Sequence, residues 1–156
     1  LPGDPYPGYH AMAVTACMGH GDAKIVAELP AAFDPSKILF VGLRNWERGE
    51  IKARQHQYGI KHLTPEEVAA DSDALRAWLK SCGASVVVHF DMDVLDPAEI
   101  VAAVGTDPDG MKIEAVIRVI NDIAAEKELV GLTVAEPMPR TAIRLRDMLG
   151  RLPLLE

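Results

Sequence analysis

Only two cysteines occur in the 156 residues, Cys17 and Cys82, and neither lies in a Cys-x-x-Cys or Cys/His cluster. A disulfide framework or a structural zinc site therefore has no support, and the pair is expected to remain as free thiols in a reducing compartment. Basic residues number 16 against 23 acidic ones, a net charge of −7, and no basic stripe appears. Nucleic acid and anionic membranes, which select clustered Lys and Arg, are poor partners for such a surface. No apolar run approaches the roughly 18 residues that a membrane-spanning helix needs, and the N-terminus lacks the order of a signal peptide. A cytoplasmic protein is expected.

What is present suits a folded core. Apolar residues make up 49% of the chain, and a chain of this size buries roughly two thirds of its unfolded surface. Three short apolar runs, Ile38–Leu43, Ser85–Phe90 and Leu129–Val134, have the character of buried strands. Between them lie helical signals. Thr64-Pro65-Glu66-Glu67 supplies an N-cap, a first-turn proline and first-turn acids, and Cys82-Gly83 supplies a stop, so one helix is predicted between them. Met111–Lys127 places Ile113, Val116, Ile117, Ile120 and Ile123 at helical spacing. Strands alternating with helices indicate an α/β fold, a parallel sheet with helices on both faces, and a single domain over residues 1–156.

Ligands of such folds bind beyond the carboxyl ends of the strands. The first run is followed by Arg44-Asn45-Trp46-Glu47-Arg48-Gly49-Glu50, the second by Asp91-Met92-Asp93-Val94-Leu95-Asp96-Pro97, and the third by Glu136. Asp91 and Asp93, two apart on an extended chain, would face one side. Close carboxylates raise each other's pKa unless a cation lies between them, and hard oxygen donors favour Mg²⁺, Ca²⁺ or Mn²⁺. The structural alternative is that the carboxylates cap the following turn. For Glu47 and Glu50 the alternative is a solvated helix start with local ion pairs.

His-Phe-Asp-Met-Asp-Val-Leu-Asp-Pro at 89–97, with Gly110 downstream, resembles a metal-binding motif of the ureohydrolase (arginase/agmatinase) family. Tyr9-His10-Ala11-Met12-Ala13, Phe40-Val41-Gly42-Leu43-Arg44 with Gly49-Glu50 and Gly59-Ile60-Lys61, and Gly131–Pro139 resemble three further segments of that family, in its order. The resemblance implies an arginase-like three-layer α/β/α fold. It also implies Mn²⁺-dependent hydrolysis of a guanidino substrate, arginine or a related compound, to urea and an amine by a hydroxide bridging two Mn²⁺ ions.

On this resemblance Asp91 and Asp93 are metal ligands, and His10 passes a proton to the leaving amine. Glu136 pairs with the guanidinium, and Glu47 and Glu50 bind the rest of the substrate. A homo-oligomer, trimer or hexamer, is also implied. The Gly-Gly-Asp-His-Ser and Asp-Ala-His-x-Asp motifs that bring the family's other metal ligands are absent from this sequence. The chain thus corresponds to the C-terminal portion of the family's domain, and on its own it is expected to be inactive. A non-catalytic module for assembly or interaction is the competing reading. Phe-Asp-Met-Asp also resembles haloacid-dehalogenase-type phosphatases, but Val94-Leu95 stands where that family has a Gly-Thr-like pair.

Overall fold

The computed structural model describes residues 9–46, 48–105 and 107–155, and the side chains of Tyr9, His10 and Arg140 lie outside the description. In chain order the elements are α1 (Ala13–Cys17), α2 (Ala23–Ala27), β1 (Leu39–Val41), α3 (Gly49–Gln57), β2 (Lys61–Leu63), α4 (Asp73–Leu79), β3 (Ser85–Asp91), α5 (Ile113–Glu126), β4 (Glu128–Ala135) and α6 (Ala142–Leu149). Two β-α-β units account for the pairing. β1 pairs parallel with β2 across α3, in the register Leu39↔Lys61 to Val41↔Leu63. β3 pairs parallel with β4 across α5, from Ser85↔Glu128 to Asp91↔Ala135, with an irregularity between Val86 and Val87. The α/β class and the parallel pairing match the expectation. The single sheet divides into two two-stranded sheets among the described residues.

β1 is shorter than the run Ile38–Leu43 because Gly42 takes a left-handed conformation, φ +84°, which ends the extended chain. The Gly42 N–H still donates to the Leu63 carbonyl at 2.8 Å, tying the end of β1 to β2. A Cβ at Gly42 would lie 2.3 Å from Val94 Cγ2 and 2.7 Å from Met111 Sδ. Bare backbone at this position lets β1 press against the turn that follows β3.

The helix expected from Thr64 to Cys82 is two pieces. Its start is as predicted in one respect. Thr64 and Glu67 form a reciprocal capping box: the Thr64 N–H donates to the Glu67 carboxylate at 2.8 Å and the Glu67 N–H to Thr64 Oγ1 at 3.4 Å. Only a short 3-10 turn, Glu66–Val68, follows before the chain breaks, and α4 begins at Asp73. The break has a tertiary cause. Arg118 of α5 donates to the carbonyls of Val68 and Asp71, which a continuous helix would have used internally, and the Asp71 side chain accepts the Asp73 N–H at 3.0 Å.

α5 realises its periodicity. Ala115, Val116, Ile117, Val119, Ile120 and Ile123 are buried and share one apolar cluster with Phe90, Leu75 and Leu79; Val86, Val88, Leu132 and Val134 pack against it. Burying a side chain of this size is worth about 1.5–3 kcal/mol, so this stripe is the main reason the β3–β4 unit holds together. Arg76 of α4 adds an ion pair to Asp122 of α5 at 2.9 Å. The opposite side of the pair carries exposed residues. Val87 and Val130 are each 57% exposed, and His89 and Thr133 are also exposed on these strands. Among the described residues, no helix is long and apolar enough to cross a membrane.

Replacing Gly42 by Ala forces a Cβ into Val94 and penalises the left-handed backbone. Overpacking and chirality together predict a loss of about 2 kcal/mol or more. A urea melt of Gly42→Ala with an unchanged midpoint would remove the contact from the account.

Candidate functional site

The site is built where β3 and β4 end. Phe90, 4% exposed, anchors the last turn of β3 in the core, and Met92, 1% exposed, anchors the residue beyond Asp91. Between these two plugs the chain leaves the strand. Asp91 ends β3 with its carboxylate accepting the Asp93 N–H at 3.1 Å, and Met92–Val94 forms a 3-10 turn. Asp93 is therefore on a turn, not on an extended strand, which corrects the two-residue strand argument for its placement. The turn nevertheless keeps the two carboxylates close, and Asp91 fulfils the capping role that was the structural alternative.

Asp93 is the unusual group. Its Oδ1 is buried and has no hydrogen-bond partner among the described residues. Burial pushes its pKa above the ordinary carboxylate value, and the charges of Asp91 and Glu136 push it further; the Gly105 N–H and the Arg44 guanidinium act in the opposite direction. Gly105 lies so close that a Cβ there would be 2.5 Å from Asp93 Oδ2. Three carboxylates from two strand ends thus meet in one place with too few donors to satisfy them.

Glu136 reaches this place at a conformational cost. The register sets Asp91 beside Ala135, so Glu136 follows immediately at the end of the paired strands. Its φ is +60°, left-handed for a residue that has a Cβ and precedes Pro137. A residue before proline ordinarily stays extended, and such strain of about 1–3 kcal/mol concentrates at functional positions. The next segment is held in turn by the Met138 N–H, which donates to the Ala102 carbonyl at 2.8 Å.

The other sequence candidates are less well placed. Glu50 is exposed in the first turn of α3 and is not among the charges that act on Asp93. Glu47 lies outside the described residues, as does the side chain of His10, whose backbone belongs to a 3-10 turn, Tyr9–Met12. His89 is engaged with Thr133 Oγ1 across the strand pair at 2.7 Å. Asp96 serves structure: it is buried, receives Lys112 Nζ at 2.5 Å and the Ala98 N–H at 2.9 Å, and is held below the ordinary carboxylate pKa first by Lys112 and then by Ala98. Gly110 packs within 2.6 Å, measured from a notional Cβ, of the Leu95 and Asp96 backbone, which accounts for a glycine at that spacing. Arg44, the first residue past β1, and Gly105 are site neighbours to which the strand-end argument gives no role on Asp93.

A hard divalent cation suits this donor set in kind. Carboxylate oxygens, one of them buried and unpartnered, are the ligands such ions take. In number the set falls short: among the described residues, no group of three or more His, Cys, Asp or Glu is arranged to hold a metal ion. A cleft of about 410 Å³ lined by Arg44, Asn45, Trp46, Thr64, Glu66 and Asp107–Asp109 lies beside the carboxylates and includes none of them.

Comparison with known proteins matches residues 4–147 to the arginase family. An arginase from Entamoeba histolytica is 27% identical over 141 residues, which cover 87% of this chain and 47% of that protein. An N(omega)-hydroxy-L-arginine amidinohydrolase from Streptomyces lavendulae is 32% identical over 108 residues, 68% of this chain and 36% of its own length. The crystal structure of the Entamoeba histolytica arginase in complex with L-ornithine superposes with a TM-score of 0.77 at 21% identity, over 89% of this chain and 48% of that one. The chain spans about half the length of the arginases it matches. With its fold and most of its length matched, the chain belongs to the arginase family.

Proposed function

We propose that this chain supplies part of the catalytic centre of a ureohydrolase that cleaves a guanidino substrate, arginine or a related compound, to urea and an amine. One observation carries the reading: Asp91, Asp93 and Glu136 lie together at the ends of β3 and β4, with a buried Asp93 oxygen that has no hydrogen-bond partner among the described residues. In this reading Asp91 and Asp93 are ligands of Mn²⁺, two ions in the complete enzyme, and the remaining ligands come from outside the described residues. Bound Mn²⁺ supplies a water acidic enough to be a nucleophile at neutral pH.

The chain's own residues hold and orient the substrate. Glu136 accepts parallel hydrogen bonds from the guanidinium, the geometry in which carboxylate and guanidinium fit one another, and its strained backbone fixes the carboxylate before substrate arrives. His10 donates a proton to the departing amine nitrogen, a task for a group that titrates near neutrality. Glu47 and Glu50 bind the amino end of the substrate. The protein works in the cytoplasm as a homo-oligomer, trimer or hexamer, and takes neither nucleic acid nor membrane as a partner. The 156 residues alone are inactive, because two ligands do not complete the cage.

A second reading has its own observation. The exposed face with Val87 and Val130 is apolar surface of the kind that partners cover, so a non-catalytic assembly module fits it. Activity separates the two. In a protein of full arginase length that carries these residues, Asp93→Asn should lower Mn²⁺-dependent urea release at least ~1,000-fold, by analogy with loss of a group that stabilises the transition state. Glu136→Gln should impair both KM and kcat. Full activity in the Asp93→Asn protein contradicts the ligand assignment.

Asp93 also predicts a pH dependence for the metal-free chain. Its pKa is raised on folding, so the native state binds more protons than the unfolded state in the window between the ordinary carboxylate value and the raised one. Stability therefore falls as pH rises through that window, and the penalty is complete above it. Asp93→Asn removes the charge and should be more stable than wild type at pH 7. The advantage should shrink as pH falls toward the ordinary carboxylate range. Urea melts across pH check this, and an Asn variant less stable at pH 7 than at pH 3, relative to wild type, contradicts it.

A further inference from the structure

Arg44 has no part in the function proposed above, yet its guanidinium is committed to the neighbourhood of Asp93. It stands past the end of β1, half-buried, and donates to three backbone carbonyls. Nε donates to Pro108 at 2.8 Å, and Nη2 donates to Asp107 at 2.6 Å and to Asp93 at 3.1 Å. These carbonyls come from two segments. One is the turn that carries Asp93; the other follows Gly105, whose backbone lies against the Asp93 carboxylate and acts on it.

The fit is close on both sides. Gly105 has no room for a Cβ against Asp93, and Asn45, next to Arg44, adds a bond from Nδ2 to the Asp107 carboxylate at 3.1 Å. An arginine that spends its donors on carbonyls is a clamp with fixed geometry, because the guanidinium is a rigid planar fork. A lysine ammonium at the end of a flexible stem keeps the charge and loses the fork.

We propose that Arg44 is a positioning residue: it clamps the Asp107–Pro108 segment to the Asp93 turn, so that the Gly105 N–H holds the Asp93 carboxylate in one orientation. The clamp deepens the reading of Asp93 as a ligand and rests on it for its functional meaning, but not for its geometry. Substrate is not required for the effect, and neither is metal.

The test is amide NMR and hydrogen exchange on the whole ¹⁵N-labelled chain, comparing wild type with Arg44→Lys and Arg44→Gln. A Gly105 amide bonded to a carboxylate resonates downfield, and Asp93→Asn marks where that signal moves when the charge is removed. In both Arg44 variants the Gly105 proton should shift toward its Asp93→Asn position and exchange at least ten-fold faster. Val88 and Phe90, inside β3, should keep their protection. An unchanged Gly105 amide in Arg44→Lys overturns the clamp, because charge without the fork would suffice. Loss of protection spread equally over β3 and β4 in the variants overturns it also, since Arg44 would then be a general structural tie. The readout involves no urea release, so failure of the clamp and failure of the ureohydrolase reading are separate results.

Discussion

Burial of Asp93 beside two other acids at the ends of β3 and β4 is the constraint around which the site is built. Asp93 is half-buried next to Asp91 and Glu136, and its pKa rises because burial and both neighbours oppose the ionised form. A fold keeps such a group only where the surrounding packing is strong enough to bear the cost. Here Phe90 and Met92 pin the strand end and the turn, Gly42 lets β1 approach Val94, and the Arg44 fork gathers the carbonyls behind the turn. Each contact fixes backbone near Asp93 without neutralising its buried oxygen. The arrangement thus holds Asp93 where its ionised form is disfavoured.

The energy that bears this cost comes from α5. Its apolar stripe covers one face of the β3–β4 pair, and Arg76 and Arg118 tie it to α4 and to the broken segment before it. The opposite face, with Val87 and Val130 exposed, has no comparable cover among the described residues. Family membership and this open face bear on one point: the chain spans about half the length of the arginases it matches. Among the described residues, no group of three or more His, Cys, Asp or Glu is arranged to hold a metal ion.

Much of this was legible in the sequence, and the parts that were not share a cause. α5 could be read because Ile113, Val116, Ile117, Ile120 and Ile123 recur at helical spacing, and β3 and β4 because short apolar runs mark them. Asp91, Asp93 and Glu136 followed from asking what stands after each strand. β2 could not be read, since Lys61-His62-Leu63 has no apolar pattern and becomes a strand only by pairing with β1. The helix from Thr64 broke because Arg118, about 50 residues away in sequence, took its carbonyls. Arg44 acts on Asp93 across the same kind of distance and Gly105 from 12 residues on, and no local pattern links either of them to Asp93. Local signals located the strands and the acids; non-local hydrogen bonds decided how the acids are held.

The central claim is the proposal that Asp91 and Asp93 bind a metal cation beside Glu136, at a site for which the described residues do not supply all the ligands. Its most direct test is to add substoichiometric Mn²⁺ to the labelled chain and then to count metal retained after gel filtration. The account predicts paramagnetic broadening confined to the amides around Asp91–Asp93 and Glu136, with less than one ion retained per chain. Broadening elsewhere, or two ions tightly held, contradicts it.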